Sequence, residues 1–266
     1  MNWGLEQKAS VLGFTYVKSQ LFVWDSYSCG IESSGGYAMN TGVVVDLGKM
    51  EYREAWNLQR VVGQALVKNQ IPDVLFLVEH PPVYTLGRGA HGSYQNLVWD
   101  EKRREEQGIS FVEVDRGGDI TYHGPGQLVG YPILNLNRYG RDLHQYLRNL
   151  EEALIRALGE FGISAGRFPP NTGVWVESEK IAAIGVKASR WITQHGFALN
   201  VDPNLDHFGG IIPCGIQDKG VTSMERLLGH SIMLDDVKPV VIQNLSQVFS
   251  LDLEPRSMAS LMELAR

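Results

Sequence analysis

Arg116-Gly117-Gly118-Asp119-Ile120-Thr121-Tyr122-His123-Gly124-Pro125-Gly126-Gln127 interrupts two apolar runs, Ile109 to Val114 and Leu128 to Ile133. Five of its twelve residues are glycine or proline. Glycine admits positive φ and lets a ligand approach the backbone with no Cβ in the way. A tight hairpin between two strands is the simpler reading of such turn chemistry. Arg116, Thr121, His123 and Gln127 crowded onto one turn favour a binding surface instead.

Outward from this stretch, the chain alternates strands and helices without a strict βαβ rhythm, which predicts an α+β fold with mixed β-sheet flanked by helices. Gly42 to Leu47 reads as a first strand, and residues 51 to 69 follow at helical spacing through Trp56, Val62, Ala65 and Leu66. Asp73 to Val78 is a buried strand that His80-Pro81-Pro82 ends, because proline cannot extend a ladder. Ile109 to Val114 and Gln127 to Leu136 flank the glycine-rich turn. Asp142 to Phe161 is the clearest helix: Leu143, Leu147, Leu150, Leu154, Leu158 and Phe161 step along one face, and Gly162 stands where a C-terminal cap belongs. Strands are expected at Gly173 to Glu177, Lys180 to Ala188 and Trp191 to Val201. A helix is expected from Thr222, with Thr222 and Glu225 at capping-box spacing, and another over 236 to 249 with Pro239 in its first turn.

The 266 residues divide into an extension over 1–41, a catalytic domain over 42–250 and a C-terminal tail over 251–266. A net charge of −6 argues against nucleic acid as the main partner, and no apolar run approaches a membrane span. The first forty residues show no signal-peptide pattern, and Glu6, Asp25 and Glu32 weaken a transit-peptide reading; the cytoplasm is the expected location, with a plastid as the alternative, and this N-terminus does not decide between them. The two cysteines, Cys29 and Cys214, fit a reducing compartment better than a disulfide. There is no Cys-x-x-Cys pair and no His-Glu-x-x-His, so no metal is expected, and no phosphate-cradling Gly-x-x-x-x-Gly-Lys-[Ser/Thr] loop, which weakens an ATP-dependent reading.

Cys214 lies in Ile211-Ile212-Pro213-Cys214-Gly215-Ile216, where a rigid proline and an adjacent glycine suit an exposed nucleophile; a small buried apolar cysteine is the alternative. A thiol with a pKa near ~8.5 needs a cationic neighbour to be a thiolate at neutral pH. Lys180, Lys187 and His195 are the candidates in the preceding strands. Alternation puts Lys180 on a face with Ala182, Ile184, Val186 and Ala188, and Lys187 on the other with Ile181, Ala183 and Gly185. A lysine at the mouth of an otherwise apolar face is the better acid–base candidate, although a strand-end lysine also snorkels to water.

Three blocks together resemble the octanoyltransferases of lipoate biosynthesis: Arg-Gly-Gly-x-x-Thr-x-His-Gly-Pro-Gly-Gln at 116–127, Lys-Ile-Ala-Ala-Ile-Gly at 180–185 leading to His-Gly-Phe-Ala-Leu-Asn-Val at 195–201, and Pro-Cys-Gly at 213–215. His80 to Gly87 adds a fourth. The resemblance covers about residues 43 to 250 and implies the fold of the biotin- and lipoate-protein ligases. It also implies a catalytic Cys214 that carries the acyl group, and a catalytic Lys180 that lowers its pKa. Implied acyl-binding residues are Arg116, Gly117, Gly118, Asp119, Ile120, Thr121, Tyr122 and His123, with Ala183, Ile184, Gly185, Gly196, Phe197 and Ala198.

The reaction so implied needs no cofactor. Octanoyl-acyl carrier protein is the donor; lipoyl domains of 2-oxoacid dehydrogenase complexes and the glycine cleavage H protein are the acceptors. An ATP-dependent lipoate- or biotin-protein ligase, a cysteine hydrolase using His123 or His195, and a catalytically silent binding module are the rival readings. Arg138, Arg141 and Arg148 are candidates for docking an acidic carrier.

Overall fold

The computed structural model describes residues 40–212 and 220–264. The large sheet is built from period-two strands. In β1 (Asn40–Lys49) and β2 (Asp73–Glu79), Val43, Val45, Val74, Phe76 and Val78 face one side, while Val44, Leu75 and Leu77 face the other. β6 (Gln127–Ile133) continues the alternation with Val129, Tyr131 and Ile133 against Leu128. The first side is covered by α1 (Tyr52–Val67), the second by α3 (Leu143–Glu160) and α5 (Leu234–Phe249), with the short α2 (Glu101–Glu106) between α1 and α3 in the chain. These are mixed sheets flanked by helices, as the sequence predicts.

A meander follows α3: β7 (Gly166–Phe168), β8 (Asn171–Val176), β9 (Glu179–Ser189) and β10 (Ile192–Asn200), all antiparallel, with β10 pairing β6. The two-residue β11 (Gly220–Val221) lies parallel beside the start of β9. Residues 251–264, set apart in the sequence as a tail, form β12 (Leu251–Pro255) and α6 (Met258–Leu264). β12 pairs parallel with β1, and Leu261 is fully buried among the α1-side residues. The strand order is therefore β12-β1-β2-β6-β10-β9-β8-β7, with β11 off β9.

The glycine-rich stretch is not a hairpin turn. Its Ile120–His123 segment forms a strand, β5, which pairs antiparallel with β3 (Val83–Leu86), and β3 pairs parallel with β4 (Ser110–Glu113). The runs before and after the stretch thus belong to different sheets. Four-residue strands carry too little pattern to be read alone, and β3 follows directly on the prolines that end β2.

α3 forms as its leucines predict. The Asp142 carboxylate accepts from the His144 and Gln145 amides at 2.8 and 3.0 Å, and Gly162 leaves the helix at φ 78°. Its Glu151, fully buried, accepts from Arg148, Arg167 and the Gly173 amide, which ties the helix to β8.

Two helix starts differ from expectation. α5 begins at Leu234, so Pro239 falls in the second turn, where it leaves the Asp235 carbonyl without an amide partner from the helix. α4 (Met224–Leu228) is capped by Ser223, whose hydroxyl accepts from the Arg226 amide at 3.2 Å. Thr222 is instead fully buried, with Oγ1 unpartnered among the described residues. Ser223→Ala is accordingly expected to lower the unfolding free energy by about 1 kcal/mol. Thr222→Val, which removes an unsatisfied buried hydroxyl, should be neutral or stabilising. Urea unfolding midpoints of the two variants decide which residue is the cap.

Candidate active site

Beside the bulk of the core, a cavity lies between β5 and the β6–β10–β9 part of the large sheet. Its wall includes Arg116, Gly117, Gly118, Asp119, Ile120, Thr121 and His123 from the glycine-rich stretch, and Lys180, Ala183, Ile184 and Gly185 from β9. Gly196, Phe197 and Ala198 of β10 complete the set. Of the acyl-binding residues singled out in the sequence, only Tyr122 lies elsewhere. Its ring packs among Tyr84 and Phe208 in a satellite core, and its hydroxyl hydrogen-bonds His207 Nδ1 at 2.8 Å. Strand alternation in β5 sends Thr121 and His123 to the cavity and Tyr122 to the opposite face. Cys214, with Pro213 and Gly215, lies outside the described residues, as does Cys29.

Lys180 reaches this wall by a route simple alternation does not give. In the β8–β9 ladder Val174 faces Ala182, whereas the adjacent Trp175 faces Lys180, so β9 carries one extra residue. This bulge turns Lys180 to the side opposite Ala182. Lys180 therefore joins the cavity face with Ala183 and Gly185, rather than the Ala182–Val186 face inferred from its even spacing. Its side chain is only 8% exposed, and Nζ sits 4.7 Å from the centre of the Trp175 ring. The Lys180 stem runs beside Gly173, where a Cβ would collide not with the lysine but with the Ala182 carbonyl oxygen, at 2.7 Å.

Two glycines set the width of the cavity. A Cβ on Gly196 would stand 2.1 Å from the Gly130 carbonyl oxygen, so β10 can approach β6 this closely only without a side chain. A Cβ on Gly185 would press on the Gly117 carbonyl at 3.0 Å and on Arg116 Cδ at 3.1 Å. The strap 115–119 is fastened on several sides. Gly117 N donates to the Val186 carbonyl at 2.8 Å, and the Arg88 and Gly89 amides donate to the Arg116 and Gly118 carbonyls. The buried Arg116 guanidinium donates to Thr85 O at 2.6 Å, to Thr85 Oγ1 at 2.9 Å and to its neighbour Gly117 O at 3.0 Å.

One end of the cavity is a group of rings: His123 and His195, both weighed in the sequence, with Tyr52 and Tyr131, which sequence reasoning did not single out. Tyr52 stacks on His123 at 5.6 Å and stands 5.1 Å from His80. His195 sits at φ 58° inside β10, and the Gln59 side chain, not β6, accepts its amide at 2.7 Å. A left-handed histidine within a strand is uncommon and is held here by its partners.

Those partners fix the proton positions. His195 Nε2–H donates to Asp115 at 2.9 Å, so Nδ1 accepts from the Tyr52 hydroxyl at 3.2 Å. His80 Nδ1–H donates to the Met50 carbonyl, and Nε2 accepts from the Tyr131 hydroxyl, both at 2.7 Å. His123 Nδ1–H donates to Gln127, whose amide in turn donates to Asn200 at 2.8 Å.

Burial pushes all three imidazoles toward neutrality: His80 to about 4, His123 well below its usual value with the nearby His80 adding to the effect, and His195 downward despite Asp115. Burial likewise raises the Tyr52 hydroxyl to about 12. Asp115 is held well below the usual carboxylate range, first by the His195 hydrogen bond and then by Lys187. Lys187 is thus committed to Asp115, at 2.5 Å, and does not line the cavity. The two histidines of the cavity, His123 and His195, are neutral and hydrogen-bonded, so an apolar chain meets no histidine charge there.

Tyr52 and Tyr131 carry no motif, and only the tertiary fold brings them to β10. His195 and Gln127 stood in motifs, and their side-chain chemistry was the available signal. The arginines proposed for carrier docking are largely engaged: Arg138 pairs with the fully buried Asp73 at 3.4 Å, and Arg148 with Glu151 at 2.6 Å. Among the described residues, no three His, Cys, Asp or Glu side chains gather to hold a metal ion. No helix among them is long and apolar enough to cross a membrane.

Residues 51–246 match the family model of the lipoyl protein ligase A/B catalytic domain. An octanoyltransferase of Cytophaga hutchinsonii is 44% identical over 231 residues, which cover 80% of this chain and 94% of that one. One of Rubrobacter xylanophilus is 50% identical over 202 residues, covering 76% and 90%. Among solved structures, lipoate-protein ligase A bound with ATP superposes with a TM-score of 0.66 at 16% identity, over 86% of this chain and 93% of that one. A bi-partite lipoate protein ligase of Thermoplasma acidophilum gives 0.65 at 17%, over 85% and 91%. At these identities the structural likeness concerns the fold.

Proposed function

Because this chain belongs to the octanoyltransferase family, within the lipoyl protein ligase A/B catalytic domain, we propose that it moves an octanoyl group from octanoyl-acyl carrier protein to a lysine of a lipoyl domain. The observation that carries the reading is the position of Lys180: a buried lysine, turned by a bulge into a cavity walled by glycines, apolar side chains and neutral rings. Such a cavity suits an eight-carbon chain laid against backbone, with an amine at one end for acid–base work.

In the proposed mechanism Cys214 is the nucleophile and Lys180 the cation that keeps it a thiolate. Sulfur attacks the donor's thioester carbonyl, the bond to the carrier's sulfur breaks, and the carrier leaves as thiolate and takes up a proton. The acceptor lysine, as free amine, then attacks the octanoyl-cysteine. The amide forms and the bond to Cys214 breaks; Lys180, whose proton has gone with the departing carrier thiolate, takes the amine's proton and stands again as ammonium beside the Cys214 thiolate. No ATP enters, since the thioester already carries the activation. A cytoplasmic setting is part of this reading and is supported by the two-cysteine composition, which suits a reducing compartment.

Intact-protein mass spectrometry after incubation with octanoyl-acyl carrier protein, without ATP, tests this. The expected result is a gain of one octanoyl group, lost in Cys214→Ser and discharged by an added lipoyl domain. Modification of the lipoyl domain only when ATP and free octanoate are supplied would make the protein a ligase instead. Release of free octanoate without amide formation would make it a hydrolase.

A further inference from the structure

A second depression, separate from the acyl cavity, lies between α1 and the β9–β10 hairpin. It is a groove of about 580 Å³ floored by Trp56 and Ile192. Its charge runs against that of the chain. Arg60, Arg88 and Arg190 line it and are exposed, and none of them makes an ion pair among the described residues. Its two carboxylates are occupied: Glu113 accepts from the Tyr94 hydroxyl, and Asp115 is taken by Lys187 and His195. A protein of net charge −6 thus presents a locally positive surface here.

The hairpin beside it is built at a cost. Ser189 pairs with Ile192, which leaves a two-residue turn, Arg190-Trp191, at φ 52° and 64°. Positive φ at both positions is the geometry that Asn-Gly ordinarily fills. A bulky pair in that conformation is uncommon and persists only where its surroundings hold it. The turn nevertheless presents an arginine at the groove and a tryptophan 40% exposed at its tip, both among the side chains enriched at the energetic centres of protein interfaces.

Resting on the transfer reaction proposed above, we infer that this groove and hairpin tip are the docking surface for the acidic acyl carrier protein, and not for the acceptor domain. The reach of each partner decides between them. Lys187 of the groove is seven residues from Lys180 on one strand, about 23 Å at the ~3.3 Å rise per residue of a β-strand. An acceptor must bring its lysine, on a short side chain, to the reacting carbonyl, so its body sits at the Lys180 end. A carrier delivers its thioester on a long prosthetic arm and can rest its body at this distance. The groove also borders the strap that walls the acyl cavity, because Asp115 and Lys187 line the groove while Arg116 and Gly117 line the cavity.

The test is Arg60→Glu combined with Arg190→Glu, and separately Trp191→Ala, in the full-length protein. KM is measured for octanoyl-acyl carrier protein, for octanoyl-pantetheine and for the lipoyl domain. The expected result is a carrier KM raised about tenfold in the double variant and less salt-dependent than in wild type, with the other two KM values within twofold. An unchanged carrier KM, or an equal rise for the small donor or the lipoyl domain, overturns the surface. Failure of the transfer reading has a different signature: the wild type takes octanoyl from neither donor. Titration of carrier protein onto wild type and double variant then still decides the surface, since equal dissociation constants overturn it and a tenfold weaker one supports it.

Discussion

Lys180→Ala is expected to lower the rate of octanoyl transfer by about 10²–10⁴, the range for losing a positioned acid–base group. The side chain is buried against the Trp175 ring with its stem beside Gly173, so the variant needs a folding control, and a thermal midpoint within a few degrees of wild type is expected. Lys180→Arg separates the two duties of the residue. Arginine keeps the positive charge but does not give up a proton in proteins. Acylation of Cys214 should survive in part, since it needs only a cation near the sulfur. Discharge to the lipoyl domain should fail, since it needs a base for the amine. Mass spectrometry follows both halves: adduct accumulation without discharge is the expected signature. Transfer within threefold of wild type in Lys180→Ala would remove Lys180 from the mechanism.

The largest expected effect on stability is acid sensitivity traced to His80. Its imidazole titrates near 4 when folded, against 6.5 for an unperturbed side chain. Between these values the unfolded chain binds a proton that the folded chain refuses. Stability is therefore complete above about pH 6.5 and falls as pH drops toward 4. The loss from this one group is about 3 kcal/mol, taking 1.36 kcal/mol per unit. His123 and His195 are shifted in the same direction and add to it. Urea midpoints from pH 7.5 to 4.5 measure the slope. A variant that cannot titrate, His80→Asn, should be less stable at neutral pH, where it loses the bonds to Met50 and Tyr131, but should show a flatter acid slope. An unchanged slope would refute this assignment.

Much of the large sheet was legible because its strands keep strict alternation and its helices carry leucines at helical spacing with caps in place. The 142–161 helix is the plain case. The small sheet was not, since three strands of four residues hold together through pairings remote in sequence. Within the site, the glycine-rich strap and both glycine-bearing strands were marked by their composition, and they meet at one cavity. Lys180 does line the cavity, but from the face opposite to the one its spacing implied, because a one-residue bulge in β9 is invisible in spacing. Tyr122 went the other way: alternation within a strand not recognised as one takes it out of the cavity. The Tyr52–His195–Asp115 chain joins three distant segments and leaves no local trace.

The parallel pairing of β12 with β1 has a consequence for synthesis. A chain emerging from the ribosome can form the Val43–Val45 strand and lay β2 beside it early, but the other flank of that strand waits for Leu251 to Pro255. Until then an apolar ribbon with unpaired amides and carbonyls stands open, the template on which nascent chains join one another. The last residues of the domain therefore act as a closing seam, and a stop codon shortly before Leu251 would be expected to yield insoluble protein even though every residue assigned here to chemistry had been made.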